Sequence, residues 1–135
     1  MTSVEKIDGV SRMRVLIVDD SSLVRLYYRN ALEKAGFDVE QAINGIEAME
    51  KVLAQSFDLL IVDVNMPRMD GLSFLRTLRR GAAEVAGLPT LIISTESGEQ
   101  DFEDARIAGA NFYLVKPVSE ANLIRHVAAL TGAPA

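Results

Sequence analysis

Short runs of consecutive apolar residues recur along the chain, and four of these runs end in polar or charged side chains. The stretches are RVLIVDD, FDLLIVD, PTLIIST and FYLVK. Runs that are continuous rather than alternating are typical of strands buried on both faces. Strands of that kind form parallel sheets whose two faces are covered by helices. The pattern therefore predicts an α/β domain.

Capping and turn residues set the bounds of the predicted elements. Five strands are predicted at residues 14–18, 37–41, 59–62, 90–93 and 112–115. Helices are predicted at about 22–35, after the cap residue Asn44, at 72–80, at 99–108 and from Ser119 to about 130. Five strands that alternate with five helices indicate a doubly wound parallel sheet with helices on both faces. By flavodoxin-like precedent, we expect the sheet order 2-1-3-4-5.

Composition narrows the class of protein. The chain has 135 residues and is 49% hydrophobic, which fits one domain with a packed core. It has no cysteine, and its net charge of −5 argues against nonspecific binding to nucleic acid. No stretch reads as a signal peptide or a membrane span. We expect a cytoplasmic protein with a flexible lead-in at residues 1–12, one domain at 13–131 and no output domain.

The side chains that follow the apolar runs form a candidate site. They are Asp19 and Asp20, Asp63, Ser94 and Thr95, and Lys116. Because ligands bind outside the carboxyl ends of parallel strands, we expect these side chains to lie together. Close carboxylates repel one another, and three of them without cysteine or a histidine cluster suit Mg²⁺ or a similar cation such as Mn²⁺.

A carboxylate beside such a cation can attack a phosphoryl group and form an aspartyl phosphate. The transferred group needs positive charge on each side, which Mg²⁺ and Lys116 would supply, and Ser94 offers a hydroxyl donor. Taken singly, each residue is explained more simply as a helix cap or a turn former. Taken together, suitable residue types at four strand ends favour a site.

The motifs LIVDDS, IVDVNMPRMDG, LIISTES and FYLVKP make residues 13–131 resemble the receiver domain of two-component response regulators, close to the single-domain chemotaxis (CheY-like) type. The resemblance implies that a histidine kinase phosphorylates Asp63. It also implies that Asp20, Asp63 and the backbone carbonyl of Asn65 bind Mg²⁺, while Asp19 orients metal-bound water. Lys116 would pair with the carboxylate and then with the phosphoryl group, and the Lys116–Pro117 bond would be cis.

The resemblance further implies a switch. Ser94 aligns with a hydroxyl that swings toward the phosphoryl group, and Tyr113 aligns with an aromatic residue that then moves inward. The surface altered would be that of the fourth predicted helix, the fifth strand and the fifth helix, where an effector protein would bind. Asn65 and Glu96 match positions that tune dephosphorylation and predict a short-lived phosphoaspartate.

Thr95 departs from the small residue that the family often has beside the switch hydroxyl. Its stiff, β-branched side chain predicts slower access of small phosphodonors or of the attacking water. It also leaves open which of the two hydroxyls switches, although the spacing favours Ser94.

Two other functions stay open. A phosphorelay shuttle would pass the group to a histidine phosphotransfer protein and would dock a helical bundle beside Asp63 and the first helix. An aspartate-nucleophile phosphatase of the haloacid dehalogenase type needs an acid two residues after the nucleophile, where this chain has Asn65. We expect a monomer at rest with no membrane partner.

Some residues outside the motifs carry simpler expectations. Tyr27 and Tyr28 are adjacent in a predicted helix, so one should pack in the core and the other should lie on the surface. Phe102 either packs on the sheet or serves as an exposed anchor for a partner. The helical arginines Arg76, Arg79 and Arg80 are most simply a solvated face.

Overall fold

The structure is a computed structural model that describes residues 6–7 and 10–133. Its strands are β1 (Lys6–Ile7), β2 (Val10–Ser11), β3 (Arg14–Val18), β4 (Asp38–Ala42), β5 (Leu59–Val62), β6 (Thr90–Ser94) and β7 (Phe112–Val115). Its helices are α1 (Ser22–Lys34), α2 (Gly45–Ala54), α3 (Gly71–Arg79), α4 (Ala83–Ala86), α5 (Glu99–Ala108) and α6 (Glu120–Thr131).

The main sheet has five parallel strands in the order β4-β3-β5-β6-β7. This is the order 2-1-3-4-5 of the predicted strands, so the predicted fold class and topology are confirmed. Strands β3 and β5 are almost entirely buried, because core clusters form on both faces of the sheet. One cluster joins the sheet to α2, α3 and α5, and the other joins it to α1 and α6.

Three short elements were not predicted, the helix α4 and the strands β1 and β2. Helix α4 has four residues, too few to show a helical period in the sequence. Strands β1 and β2 have two residues each and pair antiparallel with each other. The rest of the predicted lead-in at residues 1–12 lies outside the described residues, apart from Arg12. Elsewhere the strand and helix bounds differ from the predicted ones by one residue or less, except where no helix end was predicted.

A close backbone contact fixes the start of α3 beside Asp63. A Cβ atom added at Gly71 would lie 2.1 Å from the carbonyl oxygen of Asp63, so only glycine fits there. The Gly71 amide donates to the carbonyl of Val64 at 2.9 Å, and the Asp70 side chain caps the helix by accepting from the Ser73 amide. The segment after β5 is therefore held tightly against the first turn of α3.

The expectation of a solvated arginine face is wrong for Arg79, the last residue of α3. Its guanidinium donates to the carbonyls of Ala86 at 2.9 Å, Leu88 at 2.7 Å and Gly109 at 2.8 Å. It also donates to Thr90 Oγ1 and Asn111 Oδ1, each at 3.2 Å. Arg79 thus joins the carboxyl end of α3 to the segments that lead into β6 and β7. We call this set of residues the Arg79 cluster.

Candidate functional site

The three predicted carboxylates lie together at the carboxyl end of the sheet. Asp19 and Asp20 follow β3 and Asp63 follows β5, which is the neighbouring strand. Each offers an oxygen that lies within 4.8 Å of those of the other two. Asp19 and Asp63 are 2% and 8% exposed, whereas Asp20 is exposed. One oxygen of Asp19 accepts from the Ser21 amide at 2.9 Å, which fixes that carboxylate at the start of α1.

Lys116 reaches this cluster from the end of β7. Its Nζ lies 3.0 Å from Asp19 Oδ2 and 3.7 Å from Asp63 Oδ1. The ammonium therefore lies closer to Asp19 than to Asp63, the carboxylate with which the resemblance pairs it. Its backbone amide donates to the carbonyl of Ser94 at 2.8 Å, which ties the end of β7 to the end of β6.

The cluster has more negative than positive charge, and this acts on Asp63. Burial and the neighbouring Asp19 raise the pKa of the Asp63 carboxyl from 3.8 to about 6, against the opposing effect of Lys116. A divalent cation among the oxygens would relieve this repulsion. Three carboxylates are hard oxygen donors of the kind that Mg²⁺ takes, so the residues fit such an ion. Within the described part of the chain, Asp19, Asp20 and Asp63 are the acidic group with this geometry.

The predicted switch residues lie next to the carboxylates. Ser94 is fully buried, and its Oγ accepts from the Glu96 amide at 3.1 Å. The Tyr113 hydroxyl donates to the Glu96 carbonyl at 2.8 Å. Ser94 and Tyr113 are thus both bonded to the backbone of one residue. Thr95 is exposed, so the buried hydroxyl at this strand end is that of Ser94.

Tyr113 also has an aromatic neighbour. Its ring packs edge-on against Phe102 with 4.8 Å between centroids. Phe102 is 40% exposed, which favours the surface position over the core position for this residue. Burial raises the pKa of the Tyr113 hydroxyl.

The remaining predicted site residues take different positions. Asn65 and Glu96 have exposed side chains at the rim of the carboxylate cluster. The Lys116–Pro117 peptide bond is cis, as the resemblance implies. Arg25 was not predicted to take part, yet it donates to the Asp19 carbonyl at 2.7 Å and to Gln41 Oε1 at 2.9 Å. One of two arginines in an amphipathic helix gives no sequence signal for such a role. Among the described helices, none has the length and apolar character needed to cross a membrane.

Comparisons with known proteins agree with this geometry. The family model described as the response regulator receiver domain matches residues 15–128. The transcriptional regulatory protein PrrA of Mycobacterium leprae is 39% identical over 122 residues, which are 90% of this chain and 51% of that protein. The gliding motility regulatory protein of Myxococcus xanthus is 40% identical over 108 residues, which are 80% of this chain and 14% of that protein.

Solved structures give the same result. The chemotaxis response regulator CheY4 of Vibrio cholerae superposes with a TM-score of 0.84 at 33% identity, over 89% of this chain and 99% of that one. The chain spans about half or less of the length of the curated relatives cited above. Because the family model covers most of the sequence and the fold agrees, the chain belongs to the response regulator receiver domain family of two-component systems.

Proposed function

We propose that this protein accepts a phosphoryl group on Asp63 from a histidine kinase, with Mg²⁺ bound, and that phosphorylation switches its binding to a partner protein. The observation that carries the proposal is the position of the Asp63 carboxylate. It lies beside Asp19 and Asp20, whose oxygens suit a cation, and 3.7 Å from the ammonium of Lys116. This arrangement supplies positive charge on two sides of a transferred phosphoryl group.

The chemistry follows from that position. A carboxylate oxygen of Asp63 attacks the phosphorus of the donor's phosphohistidine, the P–N bond breaks, and the imidazole nitrogen keeps the electron pair and takes up a proton. Asp19, Asp20, Asp63 and the backbone carbonyl of Asn65 would hold Mg²⁺, which would supply positive charge to the phosphoryl oxygens when bound. Lys116 would supply positive charge to another of these oxygens. In dephosphorylation, water attacks the phosphorus and the Asp63 carboxylate leaves as phosphate is released.

The switch would run through Ser94. In the structure its Oγ accepts from the Glu96 amide, and a turn of this hydroxyl toward the phosphoryl group would break that bond. Tyr113 is bonded to the carbonyl of the same Glu96, so both contacts would change together. We propose that through these two hydrogen bonds phosphorylation of Asp63 changes the conformation of α5 and β7.

An effector of the chemotaxis type would bind the face formed by α5, β7 and α6. Large apolar side chains are exposed there: Phe102 at 40%, Ile107 at 68%, Phe112 at 46% and Val115 at 38%. Exposed apolar side chains that include two aromatic rings are typical of partner-binding surfaces. We propose that the protein is a cytoplasmic monomer at rest that turns over no substrate beyond its own phosphoaspartate.

One observation favours the alternative role of a phosphorelay shuttle. Helix α1 exposes Leu23 at 77%, Leu26 at 50% and Tyr27 at 43%, and these residues share one side of the helix. An apolar stripe beside the carboxylates suits a helical donor or acceptor of the phosphoryl group. This surface serves either role, so the partner captured by the activated protein decides between them.

The decisive experiment is a pull-down with and without beryllofluoride and Mg²⁺, which imitate the phosphorylated state. We expect an effector to be retained only with beryllofluoride, and Asp63→Asn to abolish the retention. Retention by Asp63→Asn would refute the switch, and capture of a histidine phosphotransfer protein would favour the shuttle. Turnover of phosphate monoesters would favour a phosphatase. A label that persists for many hours with Mg²⁺ would refute the short-lived phosphoaspartate.

A further inference from the structure

The adjacent tyrosines of α1 have different surroundings. Tyr28 is 3% exposed and packs in the core cluster between the sheet and helices α1 and α6, as expected for one of the pair. Tyr27 is 43% exposed, and its hydroxyl donates to the carbonyl of Val118 at 3.1 Å. This hydrogen bond joins α1 to a position 91 residues later in the chain.

The bonded carbonyl belongs to the segment that carries Lys116. On its β7 side, the segment is held by the hydrogen bond from the Lys116 amide to the Ser94 carbonyl. On its other side, Ser119 caps α6 by accepting from the Asn122 amide. Pro117, between these points, has no amide hydrogen to donate. The Tyr27 hydroxyl contacts this segment two residues beyond Lys116.

Val118 packs in the core beside α1, but the segment that precedes it is only partly enclosed on the side of α1. A cavity of about 330 Å³ opens there, and its lining includes Tyr27, Tyr28, Lys116, Pro117 and Val118. Where side chains do not fill the space, a hydrogen bond carries more of the positional constraint. The bond from Tyr27 crosses from α1 to the segment at this cavity.

We propose that Tyr27 is a positioning residue for Lys116. Its hydroxyl holds the segment 116–118 so that the Lys116 ammonium stays within 3.0 Å of Asp19 and 3.7 Å of Asp63. The inference deepens the proposed function, since it rests on Lys116 as the cation that neutralises the transferred group. The inference also connects the exposed side of α1 to phosphoryl transfer at Asp63. A partner docked on α1 would contact the ring of Tyr27, which carries this hydroxyl.

The test compares Tyr27→Phe with Tyr28→Phe in the full chain, using phosphoramidate and Mg²⁺ as the phosphodonor system. Both variants remove one hydroxyl from neighbouring residues. We expect Tyr27→Phe to slow formation of the phosphoaspartate about two- to tenfold, which is the rate equivalent of one neutral hydrogen bond. Tyr28→Phe should react at the wild-type rate. Urea unfolding midpoints exclude a general loss of stability.

A second measurement follows Lys116 itself. The ¹⁵N resonance of its side-chain ammonium should shift or broaden in Tyr27→Phe and remain in place in Tyr28→Phe. An unchanged resonance in Tyr27→Phe would overturn the inference, as would a wild-type rate of phosphorylation. If the wild-type chain took up no phosphoryl group at Asp63, the proposed function would fail, and the Lys116 resonance would still decide the role of Tyr27.

Discussion

The two ends of the sheet carry polar clusters of opposite character. At the carboxyl end, Asp19, Asp20 and Asp63 share a single ammonium, and burial together with the negative charge of Asp19 raises the pKa of Asp63 to about 6. At the amino end, one guanidinium, that of Arg79, meets carbonyl and side-chain oxygens that carry no formal charge. The carboxylate cluster therefore has uncompensated negative charge, whereas the guanidinium of the Arg79 cluster has hydrogen-bond acceptors around it.

The difference shows how this domain separates stability from reactivity. The Arg79 cluster joins α3 to the segments before β6 and β7, and burial lowers the pKa of its guanidinium without a second charge nearby to compensate. Its hydrogen bonds therefore stabilise a fixed arrangement. The carboxylate cluster instead has an excess of negative charge, which a bound cation would offset and a transferred phosphoryl group would increase.

The largest effect should come from removing the reactive member of the carboxylate cluster. We expect Asp63→Asn to abolish the uptake of a phosphoryl group from phosphoramidate, because an amide cannot act as the nucleophile. Intact-mass spectrometry under quenched conditions measures the uptake. Arg79→Met should still take up the group wherever it is folded. Labelling of Asp63→Asn to the wild-type level would show that another side chain is the acceptor.

The next largest effect, on stability, should come from the Arg79 cluster. Arg79→Met should lower the free energy of unfolding by roughly 2–4 kcal/mol, because several partly buried oxygens lose a donor. Arg76→Met is the matched control on the same helix. Arg76 is exposed and makes one long contact, 3.5 Å, to Ser73, so its loss should cost less than about 0.5 kcal/mol. Urea denaturation measures both, and equal costs would remove the contrast.

The pH dependence of stability should reveal the unbalanced charge directly. The pKa of Asp63 is raised in the folded state, so the folded protein binds more protons than the unfolded chain between about pH 4 and pH 6. Wild-type stability relative to Asp63→Asn should therefore fall as the pH rises through that window. The full shift corresponds to about 3 kcal/mol, and solvent screening of the partly accessible site reduces the loss expected by pH 7 to about 2 kcal/mol. Denaturation series at several pH values, without divalent cations, measure it.

Saturating Mg²⁺ serves as the control for this titration. A bound cation favours the charged carboxylates, so Mg²⁺ should restore most of the stability that the wild type loses as the pH rises. It should stabilise Asp63→Asn much less. Parallel stability curves for the two proteins, with or without Mg²⁺, would show that the repulsion at Asp63 has no energetic consequence.

The smallest effect concerns Thr95, at the edge of the carboxylate cluster. Its side chain is exposed, so Thr95→Ala should change the unfolding free energy by no more than about 0.5 kcal/mol. The phosphoaspartate should nevertheless decay a few-fold faster, because water gains access. Thr95→Val keeps the bulk and should decay like the wild type. If alanine and valine gave the same lifetime, bulk at this position would not control access.

The sequence alone predicted that the carboxylates lie together, because the carboxyl ends of neighbouring parallel strands must meet at one edge of the sheet. It also required that Tyr27 and Tyr28 differ in burial, although adjacency alone could not say which one is buried. The closer approach of Lys116 to Asp19 than to Asp63 was not predictable, since it depends on side-chain positions at the scale of an ångström.

The role of Arg79 was hidden for a different reason. Arg76, Arg79 and Arg80 are alike in type and close in a helix, and only the first is held by a local contact of that helix. The acceptors of Arg79 come from residues 86 to 111, and Gly109 among them has a left-handed φ of 108°. Partners that are remote in sequence and mostly backbone carbonyls leave no pattern in the side chains around an arginine.

The contact between Gly71 and Asp63 has a consequence for genetic work on this protein. A methyl group at position 71 would overlap the Asp63 carbonyl at 2.1 Å, so an alanine allele would displace the backbone of the proposed acceptor residue. We expect such an allele to impair folding together with the proposed signalling, so its phenotype could not be assigned to either. Asp63→Asn leaves that contact intact and is therefore the informative null allele. A suppressor screen that begins from Gly71→Ala would select for repacking of α3 rather than for partners of the pathway.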